Sequence, residues 1–181
     1  MNYNVPFLAG ERIYLRSLID SDAWGNYLYW FNEAEVCSGN SHHVYPFTVE
    51  NARDYIKFAN TTRDNLILAV VAREGDKHMG NIALQDISTV YRSAAFSIMI
   101  GYSEAWGKGY GYEAARLIIN HGFGALNLHR ISCATFDNNP GMIGLANKLG
   151  FTEEGRRREA AFKETKYLNV IEYGLLREEW K

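Results

Sequence analysis

AAFSIMIGYSEAWGKGYGYEAARLIINHGF, from Ala94 to Phe123, decides the fold. It reads strand, glycine-rich turn, helix. Ala94 to Ile100 is a short apolar run, as in a buried strand. Trp106-Gly107-Lys108-Gly109-Tyr110-Gly111 then places glycine at alternate positions, where the backbone can take angles closed to other residues and let a ligand come close. Ala114, Leu117, Ile118, His121, Gly122 and Ala125 fall on one face of an amphipathic helix. The amides that open such a helix have no partners within it, and its dipole adds partial positive charge, so the turn is an anion site of the kind that binds phosphate. A nucleoside-triphosphate loop needs Gly-Lys-Ser/Thr, but Lys108 is followed by Gly109. A dinucleotide fingerprint needs its third glycine at position 112, but the glycine falls one place early at Gly111 and Tyr112 follows.

The rest of the chain supplies elements around this unit. Arg12 to Arg16 alternates as a first strand. Asp20-Ser21-Asp22 caps a helix carrying Trp24, Tyr27, Leu28 and Phe31 on one face. A polar and aromatic loop, Val36 to Pro46, leads to a helix capped by Thr48 and running through Ala59. Asn65–Arg73 and His78–Gln85 form strands about a turn. After the central unit come a strand from His129 to Phe136, a helix opened by Asn139-Pro140 and closed by Gly150, and strands Arg157–Phe162 and Tyr167–Leu176. The order β-α-α-β-β-β-α-β-α-β-β implies an α/β, mixed α+β architecture with helices on both faces of a mixed sheet.

Composition narrows the function. The chain has 181 residues, 47% of them apolar, with 14% aromatics and a formal charge of -2. That suits one domain with a substantial core and points to no nucleic-acid or anionic-membrane partner. No apolar run is long enough to span a membrane, and Met1 to Pro6 is no secretory signal, so the expected compartment is the cytoplasm. Cys37 and Cys133 have neither disulfide nor metal-site spacing, and no metal is expected. Cys133 alternates along a strand and reads as a small hydrophobe. The run Arg156-Arg157-Arg158 reads as a solvated face.

Trp106-Gly107-Lys108-Gly109-Tyr110-Gly111, between strand and helix, resembles the coenzyme A loop of the GNAT acetyltransferase superfamily, Gln/Arg-x-x-Gly-x-Gly/Ala, with Trp106 in the first place. Trp-Gly-Lys-Gly is a common variant among ribosomal-protein N-terminal alanine acetyltransferases. The segment from Asn120 to Ile131, then Asn139, Asn147-Lys148-Leu149-Gly150-Phe151 and Tyr167-Leu168-Asn169-Val170, is similar to the second half of such a domain, including the tails of bacterial spermidine and amino-sugar N-acetyltransferases.

The resemblance implies a single GNAT domain over residues 1–181, with a central mixed, mostly antiparallel twisted sheet. It implies transfer of acetyl from acetyl-CoA to a primary amine by direct attack in a ternary complex. Met99, Ile100 and Gly101 would meet the pantetheine arm, together with Asn139. Trp106, Gly107, Lys108, Gly109, Tyr110 and Gly111 would hold the pyrophosphate. The usual places of a general-acid Tyr, a Ser and a strand Glu hold Ala146, Met142 and Ala95. His42 and His43, in the loop bordering the acceptor side, and Tyr167 are the candidate catalytic or acceptor-contacting groups. Deprotonating a lysine-like amine at neutral pH costs about 4.6 kcal/mol, an α-amine about 1.4. A site without a strong base therefore suits a protein N-terminus or a small-molecule amine such as an amino sugar, with a polyamine or aminoglycoside as alternative acceptors. A non-catalytic CoA-binding sensor is the alternative of another class, and exposed aromatics leave a homodimer open.

Overall fold

The computed structural model describes residues 5–181. Met1 to Asn4, part of the stretch read above as no secretory signal, lie outside the described residues. Among the described residues, eight strands form one sheet in the order β1-β2-β3-β4-β5-β6-β8-β7. They are β1 (Leu8–Ala9), β2 (Ile13–Arg16), β3 (Leu66–Ala72), β4 (Lys77–Ser88), β5 (Ser93–Ile100), β6 (Arg130–Phe136), β7 (Thr152–Lys163) and β8 (Lys166–Leu176). All neighbours are antiparallel except β5 and β6. Five α-helices accompany them: α1 (Asn26–Asn32), α2 (Ala34–Cys37), α3 (Val49–Thr61), α4 (Tyr110–Gly124) and α5 (Pro140–Leu149).

The central strands are apolar on both sides because each face is covered. Leu68, Val70, Ile82, Leu84 and Phe96 pack with Ala114, Ile118 and Leu149 of α4 and α5. Ile67, Ala69, Val71 and Ala83 pack on the opposite face with Tyr27, Trp30, Ala52 and Ile56 of α1 and α3. Thr48 caps α3 reciprocally with Asn51, and Asn139 caps α5 by accepting from the Met142 amide at 3.0 Å. Gly150 closes α5 at φ 86°, in the left-handed region.

Three local readings are corrected. The first helix is not continuous: a 3-10 turn (Asp20–Trp24), α1 and α2 are separated by extended Gly25 and Glu33. Trp24 lies outside, with the Arg53 guanidinium 4.6 Å over its ring, and Trp30 takes the buried place. Asp22 does cap the 3-10 turn, its carboxylate accepting the Ile19 amide at 2.9 Å, but it is buried because the same carboxylate accepts both Nη1 and Nη2 of Arg16 at 2.8 Å. Finally, β7 starts at Thr152, five residues before Arg157. Its first residues are polar and exposed, with Arg157 paired to Glu172 at 2.9 Å, so this edge strand carries no apolar alternation to read.

The one parallel pairing positions the site. β5 and β6 are in register only from Ser93–Arg130 to Ala95–Ser132. Beyond that the strands part, and the β5 edge from Phe96 to Ile100 facing β6 has no strand partner. β4 stays paired to β5 up to Gly80–Ile100, so the opening is a wedge cut into one continuous sheet.

Candidate active site

A cleft of about 300 to 1,000 Å³ is the usual size for a small-molecule site, and the wedge opens into one of ≈ 910 Å³. Its cofactor-side wall is the glycine turn. Gly107 (φ 72°) and Gly109 (φ 87°) both lie in the left-handed region, and Gly109 is the residue that opens α4. With no side chain there, nothing caps the first amides of α4, which face the cleft as a positively polarised edge. A phosphate fits this cradle.

Arg12, in the bend just before β2, braces the turn, a role the sequence reading missed. Its Nη1 donates to the Lys108 carbonyl at 2.9 Å, its Nε to Glu113 Oε2 at 3.1 Å, and its backbone amide to Glu113 Oε1 at 2.9 Å. Partial burial pushes the Glu113 carboxyl up, but these Arg12 contacts outweigh it and leave its pKa below the ordinary range. The signal was the conjunction of a basic residue at the start of the first strand and an acid in the first turn of α4. It becomes meaningful only once the fold sets them a hundred residues apart in sequence and side by side in space.

The candidate residues separate cleanly. Met99, Ile100, Trp106, Gly107, Gly109, Gly111, Asn139 and His42 line the cleft. Trp106 donates its indole N–H to the Ile100 carbonyl at 2.8 Å, pinning the turn to the strand end. Gly101 lies beneath Trp30, where an added Cβ would sit 2.0 Å from the indole. Lys108 is exposed, and Tyr110 turns its ring toward the Arg12 guanidinium, 5.1 Å away; neither lines the cleft. Asn139 spends both ends of its amide on structure, since Nδ2 donates to the Gly39 carbonyl at 3.0 Å across the cleft mouth while Oδ1 caps α5.

His42 and His43 part company. His42 packs edge-on against Phe31, with centroids 4.6 Å apart. Although the residue as a whole is exposed, the groups packed around its ring desolvate it and, secondarily, the nearby Lys163 ammonium lowers its pKa further, which favours the neutral ring near pH 7. His43, at φ 64°, is exposed and outside the cleft lining. Tyr167 is also outside it: 67% exposed, it sits against Phe162 at the end of the β7–β8 hairpin, where the strand has run past the layer of helices.

Apart from the glycine turn, much of the lining is aromatic. Tyr27, Phe31, Phe47 and Tyr55 stand over a floor of Asn81, Ala83, Gln85, Ser97 and Met99 from β4 and β5. Ala95 lies opposite Gln85, whose side chain bonds Ser97 Oγ at 3.1 Å, so a neutral amide and hydroxyl stand beside the place a Glu would take. Ala146 is buried at 1% exposure. Among the described residues that line the cleft there is no aspartate or glutamate.

Cys133 is buried on β6, which pushes its thiol pKa up to about 12 and leaves almost no thiolate at neutral pH. Cys133→Ala is therefore expected to keep most of the activity. Mass spectrometry of the wild type with acetyl-CoA and no amine should find no acetyl group on it; a stoichiometric adduct that passes to an amine would overturn direct transfer.

Among the described residues, no helix is long and apolar enough to cross a membrane, and no cluster of three His, Cys, Asp or Glu is placed to hold a metal. The acetyltransferase (GNAT) domain family profile matches residues 12–152. Along 94% of the chain and 96% of the relative, the sequence is 30% identical to the uncharacterized N-acetyltransferase p20 of Bacillus licheniformis. It is 36% identical to the spermidine N(1)-acetyltransferase of Escherichia coli strain K12 over 56% of this chain and 54% of that one. The fold matches the crystal structure of spermidine N-acetyltransferase from Vibrio cholerae in complex with CoA and spermine, with a TM-score of 0.83 at 24% identity over 93% of this chain and 97% of that chain. The sensor reading is set aside accordingly, and the chain belongs to the GNAT acetyltransferase family as an acyltransferase enzyme.

Proposed function

We propose that the protein transfers acetyl from acetyl-CoA to the amine of a weakly charged acceptor, a protein N-terminus or a small-molecule amine such as an amino sugar, by direct attack in a ternary complex. The carboxylate-free aromatic lining of the acceptor side carries this reading. A polyamine would bring several positive charges into a cleft with no carboxylate to meet them, and an unpaired buried charge is expensive. A single amine gains from the same surroundings, because desolvation lowers its pKa and favours the neutral nucleophile.

The parts divide as follows. Acetyl-CoA supplies the thioester that the amine attacks. The uncapped amides of Gly109 to Tyr112 hold its pyrophosphate, and the unpartnered edge of β5 offers backbone groups to its pantetheine arm. His42 takes the proton of the amine directly or through water. The first turn of α5 lines the same cleft, and its positive end favours the departing thiolate where Tyr and Ser are replaced by Ala146 and Met142.

A thiol-release assay over an alanine-ended peptide, glucosamine, an aminoglycoside and spermidine tests the reading. The peptide or glucosamine should exceed spermidine in kcat/KM by about ten-fold or more. The spermidine relatives supply the competing outcome: preference for spermidine would show that carboxylates reach the acceptor from beyond the cleft lining.

His42 gives a second test. Its lowered pKa predicts a kcat/KM profile that is level at neutral pH and falls as pH drops through a value below about 6.5. His42→Ala should lower kcat/KM by about ten-fold and remove this acid limb, while His43→Ala leaves both in place. Unchanged kcat/KM in His42→Ala between about pH 6 and 9 would put the base elsewhere.

A further inference from the structure

Asn81 Nδ2 and the Tyr27 hydroxyl are buried and have no hydrogen-bond partner. Both residues line the cleft, Asn81 at 8% exposure and Tyr27 at 1%. Fully buried donors are rarely left without partners in folded proteins, so each such group calls for a reason.

The surroundings fix how the Asn81 amide faces. Nε2 of His78 lies 2.9 Å from the Gly80 carbonyl and 3.0 Å from the Asn81 side chain. A backbone carbonyl can only accept, so Nε2 carries a hydrogen, and the Asn81 atom beside it must be the oxygen. Nδ2 is thereby turned away from the network. His78 is itself held, with Nδ1 3.3 Å from the carboxylate of Asp22, which Arg16 grips from its other side. Tyr27 stacks on the His78 ring with centroids 6.1 Å apart at 18°, which brings its hydroxyl close enough to Asn81 for a weak polar contact but short of the alignment of a full hydrogen bond. An Arg16–Asp22–His78 chain thus orients the Asn81 amide, with the Tyr27 hydroxyl beside it.

That place adjoins the chemistry. Asn81 of β4 is the register partner of Met99 of β5, at the strand end assigned to the pantetheine arm. A group bound to Asn81 lies only a few bonds from a nitrogen reacting there. An amide N–H can only donate, so it suits an oxygen and repels an ammonium.

Resting on the acetyltransferase reading above, we propose that Asn81 and Tyr27 form a two-donor anchor for an oxygen of the acceptor, carried on the carbon next to the one that bears the amine. The carbonyl of an aminoacyl group and the hydroxyl of a vicinal amino alcohol share this arrangement. His78 is a positioning residue that acts through Asn81.

The test compares matched amines. An alanine-ended peptide and glucosamine carry the oxygen; sec-butylamine and cyclohexylamine lack it. The wild type should prefer one oxygen-bearing amine over its match by about a hundred-fold in kcat/KM, since sites built to bond an oxygen reject analogues without it. Which of the two it prefers identifies the source of the oxygen. Asn81→Leu should erase the preference through acceptor KM, with acetyl-CoA KM held within about two-fold. Tyr27→Phe, which removes one atom and keeps the packing, should lose part of it. His78→Phe keeps the stack on Tyr27 but frees the Asn81 amide to rotate, and should mimic Asn81→Leu. Acetylation with the preference intact in both Asn81→Leu and Tyr27→Phe would overturn the anchor and leave the enzyme reading standing. If no amine is acetylated, that reading fails, and calorimetry of the peptide and glucosamine on the CoA-loaded protein decides the anchor: binding weakened by Asn81→Leu supports it, and no binding ends it.

Discussion

Gly109→Asp should reduce acetyl-CoA affinity by about a hundred-fold or more, the largest single effect expected on the cofactor side. Three costs coincide at this residue. Its φ of 87° is strained for any side chain. An added Cβ would sit 3.0 Å from Nη2 of Arg12, so a carboxylate there draws the guanidinium off the Lys108 carbonyl and Glu113 and loosens the turn. The carboxylate also sets a negative charge beside the pyrophosphate. Calorimetry checks this, with Gly109→Ala separating the strain from the charge. Unchanged binding in Gly109→Asp would sink the assignment of the loop.

The unit containing Gly109 was readable because strand, glycine spacing and helix periodicity are local. The capped starts of α3 and α5 were legible for the same reason. What the sequence hid depends on distance. Arg12 and Glu113 have no visible relation until β2 and α4 are neighbours. Asn81 looks like a polar interruption in a strand, and Tyr27 like one of four aromatics on a helix; only the pairing of β4 with β5 under α1 brings them together. His42 and His43 are adjacent in sequence and equal in chemistry, yet His42 lines the cleft and His43, at a left-handed φ, does not.

Asp22→Ala is expected to be the most destabilising substitution discussed here, at about 3–5 kcal/mol near neutral pH, because it leaves the Arg16 guanidinium buried and unpaired. For a chain of this size that corresponds to a fall of about 6 to 20 °C in Tm. The effect should depend on pH with a definite sign. Burial raises the Asp22 carboxyl, but hydrogen bonds from Arg16 and His78 prevail and hold its folded pKa well below the ordinary value of 3.8. The ionised carboxylate therefore contributes fully above that unfolded value, and its contribution declines as pH falls toward the folded one. Denaturant titrations of wild type and variant should begin to converge below about pH 4 and meet only as pH approaches the lower, folded value. Replacing both partners, Arg16→Met with Asp22→Leu, should recover much of the loss by removing the orphaned charge. A gap between wild type and Asp22→Ala that stays constant down to acid pH would show that lost packing, not the ion pair, is responsible.

The brevity of the β5–β6 pairing has a mechanical meaning. Between Ser93–Arg130 and Ala95–Ser132 a three-residue ladder is the only strand pairing among the described residues that joins β1 to β5 to the block formed by β6, β8 and β7, beside the core packed under α4 and the Asn139–Gly39 bond. A slender molecule lying along the bare edge of β5 would act as the missing rung, turning two leaves joined at a spine into one plate. Amide hydrogens on β6 and α5, well away from the phosphate turn, should then exchange more slowly when CoA is present. Ligand at a hundred times its Kd would stiffen the seam by about 2.7 kcal/mol, so that the cosubstrate is for a moment part of the scaffold that presents it.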